Sequence, residues 1–168
     1  SPREQTQPRV RTLPYLKPGD PIPQPCPPLF DVTAGREIPV DARLFPNPWD
    51  CTHYHWSADS SRFFFVYNQR GHGVVRVLAL AAQDGRVSTV VNEECATFFD
   101  YANKLFVQHL EATDELLWMS ERDGWNHLYR VDRQTGKVKN AVTHGDWVVR
   151  GVDRVDEKAG EVWFRACG

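Results

Sequence analysis

The sequence predicts an all-β chain: a partial β-propeller of about two to three antiparallel blades behind a proline-rich N-terminal arm. Three observations carry this. Aromatics make up 12% of the residues, with 9 Phe and 6 Trp against a single Met. That composition suits pleated sheets better than helix bundles. Short apolar runs are bounded by turn residues, as strands are. The same strand-and-turn grammar then recurs. Gly71 stands 53 residues before Gly124, Gly85 stands 51 before Gly136, and Trp118 stands 45 before Trp163. A period of roughly 45–53 residues holding several antiparallel strands is a blade period. A sandwich with accidental periodicity is the competing architecture.

The elements follow in order. All 12 prolines fall within the first 48 residues. Proline fixes φ and removes a ladder donor, so this region is no central sheet. Residues 1–28 read as an extended arm, polyproline-like over Pro21–Pro28. Residues 29–168 read as the blades. Leu29–Val32 is a short strand, and Pro39–Asp50 reads as loop. The sheet begins near Thr52. Phe63–Tyr67 is a continuous apolar run that suits a strand buried on both faces. Val74–Leu80 and Arg86–Val91 follow, with Asp84-Gly85 as the turn between them. Leu105–Leu110 and Leu116–Ser120 open the second copy. Asp123-Gly124 then makes a hairpin into Trp125–Asp132, because Gly accepts a positive φ and Asp tolerates one. A Gln134-Thr-Gly136 turn leads into Lys137–Thr143, and Glu161–Arg165 opens a third copy. Two or three blades cannot close a ring of 4–8, so the sequence reads as a portion of a larger propeller.

Composition narrows the function classes. The formal charge is −2, with 20 basic and 22 acidic residues well mixed. No basic stripe marks a nucleic-acid partner, and no apolar run approaches the length of a membrane span. The polar start lacks the apolar core of a signal peptide, and the compartment stays open. Cysteines at 26, 51, 95 and 167 contain no Cys-x-x-Cys pair, so the spacing argues against structural zinc. Scattered thiols of this kind read as packed side chains, with two disulfides as the alternative.

Four groups invite a chemical reading. Ser120, Asp123 and His127 resemble a nucleophile set. They sit on one hairpin without a Gly-x-Ser-x-Gly elbow, so hydrogen bonding along the blade is the simpler account. His53 and His55 alternate across Tyr54 and would share a strand face that a metal could use. No acidic or cysteine partner stands at a useful spacing, and paired hydrogen-bonding histidines are expected instead. Glu93-Glu94 would hold an ammonium group only from a loop, where both side chains converge. A solvated loop between blades is the plainer reading. Phe98, Phe99 and Tyr101 form an aromatic cluster at the crossover into the second blade. They either line a tunnel or pack in the core.

Trp118 to Tyr129 carries a specific resemblance. Ser120-Glu-Arg-Asp-Gly-Trp-Asn-His-Leu-Tyr129, the Asp132 and Gly136 turn, and Val142-Thr-His-Gly-Asp-Trp-Val-Val149 resemble the dipeptidyl peptidase IV family of serine exopeptidases. Val155–Phe164 is similar to the family's next blade. Leu13–Pro21 with Leu29–Val32 is similar to the segment where an extended arm returns to the propeller. The resemblance implies an eight-bladed propeller that scaffolds and gates an α/β-hydrolase domain for peptide substrates. It places the family's Ser, Asp and His triad beyond residue 168, and its acidic substrate-capturing pair before the Leu13–Pro21 segment. Glu93-Glu94 is therefore not that pair. For this chain it implies no catalytic residue, metal or cofactor. Trp118, Ser120, Glu121, Arg122, Asp123, Gly124, Trp125, His127 and Tyr129 become a structural blade motif. Phe98 to Tyr101 fall near a family segment that lines the extended substrate pocket, although the family's adjacent Arg is not reproduced. Ser1–Tyr15 resembles a region used in dimer contacts. Parent enzymes of this family are often periplasmic, secreted or membrane-anchored. A more general similarity to TolB-like propellers offers a second reading, a TolB- or WD40-like module that binds proteins or ligands through its blade loops. Either way, exposed blade edges or the arm are expected to drive self-association.

Overall fold

The computed structural model describes residues 4, 10–17 and 19–168. Most of the 1–9 stretch of the arm lies outside the described residues. Among the described residues, twelve strands, the first starting at Leu29, form four antiparallel sheets. β1 (Leu29–Asp31) and β2 (Arg36–Ile38) make a short hairpin. β3 (Pro48–Trp56), β4 (Arg62–Gln69), β5 (Val74–Ala81) and β6 (Val87–Glu94) form the first four-stranded sheet, in that order. β7 (Val107–Leu110), β8 (Glu115–Ser120), β9 (His127–Asp132) and β10 (Val138–Ala141) form the second. β11 (Val148–Asp156) and β12 (Glu161–Cys167) pair as a last hairpin. Within each sheet consecutive strands pair, so each four-stranded sheet is a meander, the blade of a partial propeller. None of the described helices is long and apolar enough to cross a membrane.

The apolar run in β4 explains how the blades stack. Strand side chains alternate between faces. Phe64 and Val66 enter a core with Leu116, Trp118 and Val131 of the second blade. Phe65 and Tyr67 enter an opposite core with Leu29 and Phe45. A third core joins Met119 and Leu128 to Val149, with Val162 and Phe164 packed against it. One strand thus feeds two inter-sheet layers, and neighbouring blades cover each other's apolar faces.

Several expectations are corrected. Pro39–Asp50 is not all loop: a 3₁₀ turn spans Ala42–Leu44 and β3 begins at Pro48. Pro48 is the first residue of a sheet-edge strand, a position where a missing N–H is tolerated. β2 and β11 were not anticipated. The connection between β8 and β9 is six residues, Glu121–Asn126, because β9 begins at His127 rather than Trp125. Only Gly124 takes a positive φ there, +96°, while Asp123 accepts from the Trp125 backbone N–H at 3.1 Å. All four cysteines are free thiols, and only Cys51 is buried. Burial, then Asp50 and Cys26, push the Cys51 thiol up to about 12.

The two hairpins at either end are opposite halves of a blade. Gly136, in the β9–β10 turn, lies so close to β6 that a Cβ there would sit 2.9 Å from the Val90 carbonyl oxygen. Gly85, in the β5–β6 turn, approaches β2 in the same way, and a Cβ would overlap the Pro39 carbonyl beside Ile38. Both glycines hold φ near +70°. β2 therefore stands to the first blade as β6 stands to the second, in the fourth-strand position. β11 matches β3 instead. Both are nine residues long, and both carry two bulges in their pairing with the next strand. The chain thus holds strands three and four of one blade, two whole blades, and strands one and two of another.

Candidate functional site

The even-numbered strands of the blades all deliver their turns to one end of the sheets. The β4–β5 turn, the β6–β7 crossover (residues 95–106) and the β8–β9 turn meet there. The Phe99 N–H donates to the His72 carbonyl at 2.8 Å, which pins the crossover to the first turn. His72 stacks on Tyr101 with ring centroids 4.4 Å apart, and meets Phe98 and Trp49 edge-on at 5.3 and 5.4 Å. Phe98 is 52% exposed, whereas Phe99 is only 7% exposed and stacks on Trp118 at 6.4 Å. The aromatic cluster therefore divides. Phe98 and Tyr101 belong to a surface patch with His72 and Trp49. Phe99 lies beneath it in the inter-blade core and lines no exposed wall.

The Ser120–Tyr129 hairpin makes blade-to-blade contacts. Ser120 and His127 face each other across the β8–β9 ladder, but the side chains of Ser120, Asp123 and His127 do not hydrogen-bond to one another. The Ser120 hydroxyl donates to Glu93 Oε1 at 2.8 Å. The fully buried His127 ring bonds at both nitrogens. Nε2–H donates to the Gly145 carbonyl at 2.9 Å, so Nδ1 accepts from the Thr143 hydroxyl at 3.0 Å. Asn126 donates from its side chain to the Val149 carbonyl at 2.7 Å and ties the turn to β11. Lys104 of the crossover pairs with Glu121. The Arg122 guanidinium lies 4.8 Å from the Tyr129 ring centre. Burial, then the nearby Asp123 carboxylate, push the Tyr129 hydroxyl up to about 12. Trp125 is left exposed on the turn.

Glu93 and Glu94 are not in a loop. Both lie in β6 and point to opposite faces, as strand neighbours do. Glu93 turns toward the second blade. Its Oε1 accepts from Trp118 Nε1 at 3.0 Å, Ser120 Oγ at 2.8 Å and Arg122 Nη2 at 2.6 Å. This carboxylate has no capacity left for a ligand ammonium at that oxygen. It anchors the Ser-Glu-Arg-Asp-Gly motif to the preceding blade.

A second junction, at the opposite end of the blades, joins His55 to residues the sequence did not single out, His109, Glu111, Asp114 and Arg133. His53 and His55 do not share a regular strand face. A bulge separates them, and His53 has φ +53°. His55 instead stacks on His109 of β7, with centroids 4.0 Å apart and planes 7° from parallel. His55 Nε2 donates to Glu111 Oε1 at 2.7 Å. Ligand-type atoms of His55, His109 and Glu111 all lie within 4.8 Å of one another. The acidic partner missing at short spacing is thus supplied by the next blade. Arg133 is the resident cation of this cluster. It donates to Glu111 Oε1 at 2.5 Å and Oε2 at 3.2 Å, to Asp114 Oδ1 at 2.8 Å, and to His109 Nδ1 at 3.2 Å. Since His109 Nδ1 accepts from Arg133, its proton sits on Nε2, and neither nitrogen offers a free lone pair. Arg62 of β4 closes the network, gripping both Asp114 oxygens at 2.7 and 2.8 Å. Both guanidinium groups lie over the Phe64 ring, at 5.2 and 4.9 Å.

This junction sets an acid limit on the fold. Burial, then the neighbouring His55 and Arg133, bring His109 down to about 3. The Arg133 hydrogen bonds hold Glu111 at about 2. Between the folded and unfolded pKa values the unfolded chain binds the extra proton. For His109 that window runs from about 6.5 down to 3, and for Glu111 from about 4.5 down to 2. Both groups therefore make stability fall as pH falls. The urea midpoint is expected to drop steadily from pH 7 to pH 4. His109→Gln should flatten the part above pH 4.5, and an unaltered slope in that variant would refute the assignment.

The family model described as the dipeptidyl peptidase IV (DPP IV) N-terminal region matches residues 1–168. The chain belongs to this family. Two solved structures share its fold. One is a putative dipeptidyl aminopeptidase IV from Bacteroides ovatus, with a TM-score of 0.59, 20% identity, and coverage of 82% of this chain and 22% of that one. The other is the dipeptidyl peptidase 4 of Porphyromonas gingivalis, with a TM-score of 0.61, 16% identity, and coverage of 83% and 19%. The dipeptidyl peptidase IV N-terminal segment described here thus spans about a fifth of the length of either relative.

Proposed function

We propose that this chain is a non-catalytic wall of the propeller in a dipeptidyl peptidase IV-like serine exopeptidase, where it acts as scaffold and gate for peptides reaching an α/β-hydrolase site elsewhere in the enzyme. The match to the DPP IV N-terminal region along all 168 residues carries this reading. Its polar candidates support it, since Glu93, Ser120 and His127 spend their hydrogen bonds on neighbouring strands. In this reading the exposed Phe98 and half-buried Tyr101 line the outer part of the peptide path, and Phe99 braces them from below.

Two measurements test it. The 168-residue chain should not hydrolyse an Xaa-Pro p-nitroanilide, and hydrolysis abolished by Ser120→Ala would overturn the proposal. In the enzyme that contains this segment, Phe98→Ala should raise KM for tetrapeptides by roughly 5–30-fold, the equivalent of about 1–2 kcal/mol of apolar contact. Dipeptide derivatives, too short to reach Phe98, should be unaffected. An equal loss for both substrate lengths would remove Phe98 from the path.

A further inference from the structure

The aromatic patch around Phe98 continues onto the first blade. Phe98 and Tyr101 come from the β6–β7 crossover, Trp49 from β3 and His72 from the β4–β5 turn. Phe98 is 52% exposed and Trp49 44%, with His72 and Tyr101 half-buried between them. His72 is the unusual member. Its φ is +57°, in the left-handed region, where glycine sits without strain and a residue with a Cβ does not. Glycines stand on both sides of it, at 71 and 73, so the turn itself does not call for a histidine.

The strained residue is held at every point. Its backbone N–H donates to the Gln69 carbonyl and its own carbonyl takes the Phe99 N–H, both at 2.8 Å. Its ring stacks on Tyr101 and meets Trp49 and Phe98 edge-on. Nδ1–H donates to Asn68 Oδ1 at 3.0 Å, which leaves Nε2 as an acceptor. Among the described residues Nε2 has no partner, and it is not buried. Burial of the ring lowers the His72 pKa, which favours the neutral imidazole and keeps that lone pair free. Strain of this kind persists where the surroundings over-determine it, and it gathers at ligand-contacting sites.

We propose that Trp49 and His72 form a specificity subsite for an aromatic residue of the peptide, whose ring packs against Trp49 and Phe98 while its backbone N–H donates to His72 Nε2. Aromatic pairs favour the edge-on and stacked arrangements already present among these rings. The four side chains include no carboxylate, so a lysine in the same place would lack a counter-charge. The inference rests on the peptide-path reading and adds to it the class of residue selected.

Substrate ratios test it in the enzyme that contains this segment. Ala-Pro-Ala-Phe amide is compared with its Ala and Lys counterparts at the fourth residue, and with a depsipeptide in which an ester oxygen replaces the Phe N–H. In the parent enzyme kcat/KM for the Phe peptide should exceed that for the Ala peptide by roughly 5–30-fold. It should exceed that for the ester by roughly 2–10-fold. Trp49→Ala should bring the first ratio close to one. His72→Phe keeps an aromatic ring and removes the acceptor, so it should bring the second ratio close to one and leave most of the first. Ratios within one preparation are independent of the fraction folded, and a variant that merely disturbed the turn would preserve both. A parent enzyme with no preference for Phe, a preference for Lys, or ratios unchanged in the two variants would each overturn the subsite. If Phe98→Ala still raises KM for tetrapeptides in that case, the peptide path stands and only the subsite falls. If Phe98→Ala is silent as well, both fall.

Discussion

Arg133→Met is expected to destabilise the chain by about 2–4 kcal/mol. Breaking a buried ion pair by removing one partner costs about 3–5 kcal/mol, because the other charge is stranded. The Arg133 side chain is 2% exposed, but Glu111 and Asp114 are each about a third exposed, at 33% and 29%. Water, His55, the Ala58 N–H and Arg62 continue to serve those carboxylates, which moves the expectation toward the lower end. Methionine keeps the aliphatic packing over Phe64, so the loss reports the charge network. Arg133→Lys should recover only part of it, since an ammonium lacks the planar five-donor guanidinium that reaches Glu111, Asp114 and His109 together. Urea denaturation supplies the number. Carboxyl titration by NMR supplies a second readout, with Glu111 rising from about 2 toward its ordinary value of 4.5. A variant within about 0.5 kcal/mol of the parent would show that the blades do not depend on this junction, as is usual for exposed pairs such as Arg43–Asp41.

Trp118→Ala is expected to cost about 3–5 kcal/mol, the usual range for truncating a large core aromatic. Trp118 is the largest fully buried side chain and packs in the inter-blade core with Phe64 and Leu116. Its indole N–H also serves Glu93. Trp118→Phe separates the two contributions. It keeps much of the volume and removes the donor, and should cost about 1–3 kcal/mol, as for a hydrogen bond to a charged group. Circular dichroism in urea is the suitable probe, because five other tryptophans complicate fluorescence. Equal losses in the two variants would mean that the Glu93 contact, not cavity formation, dominates.

Much of the fold was legible from local pattern. The Phe63–Tyr67 run lies inside β4, Val74–Leu80 inside β5, Leu116–Ser120 inside β8, and Glu161–Arg165 inside β12. The failures share a cause. β11 hides because two bulges, between Val149 and Gly151 and between Val152 and Arg154, interrupt its alternation. His53 and His55 were set on one face by a period-two rule that a bulge had already broken. β2 is three residues, too short to show any period. Phe98 and Phe99 illustrate the limit for the candidate site. Two identical neighbours in a crossover have opposite fates, because the His72 carbonyl takes the Phe99 N–H and turns its ring into the core.

The amino-acid sequence by itself determined the all-β class, the turn positions, the blade period and the family, because these rest on residue types and on neighbours a few positions apart. Tertiary structure alone decided which polar groups meet. Arg62 finds Asp114 52 residues away and the Arg133 carbonyl 71 away, and Glu93 finds Trp118 25 away. No spacing rule encodes those pairs. They depend on how one twisted sheet seats on the next, which is set by the shape of the apolar cores between them rather than by backbone preference.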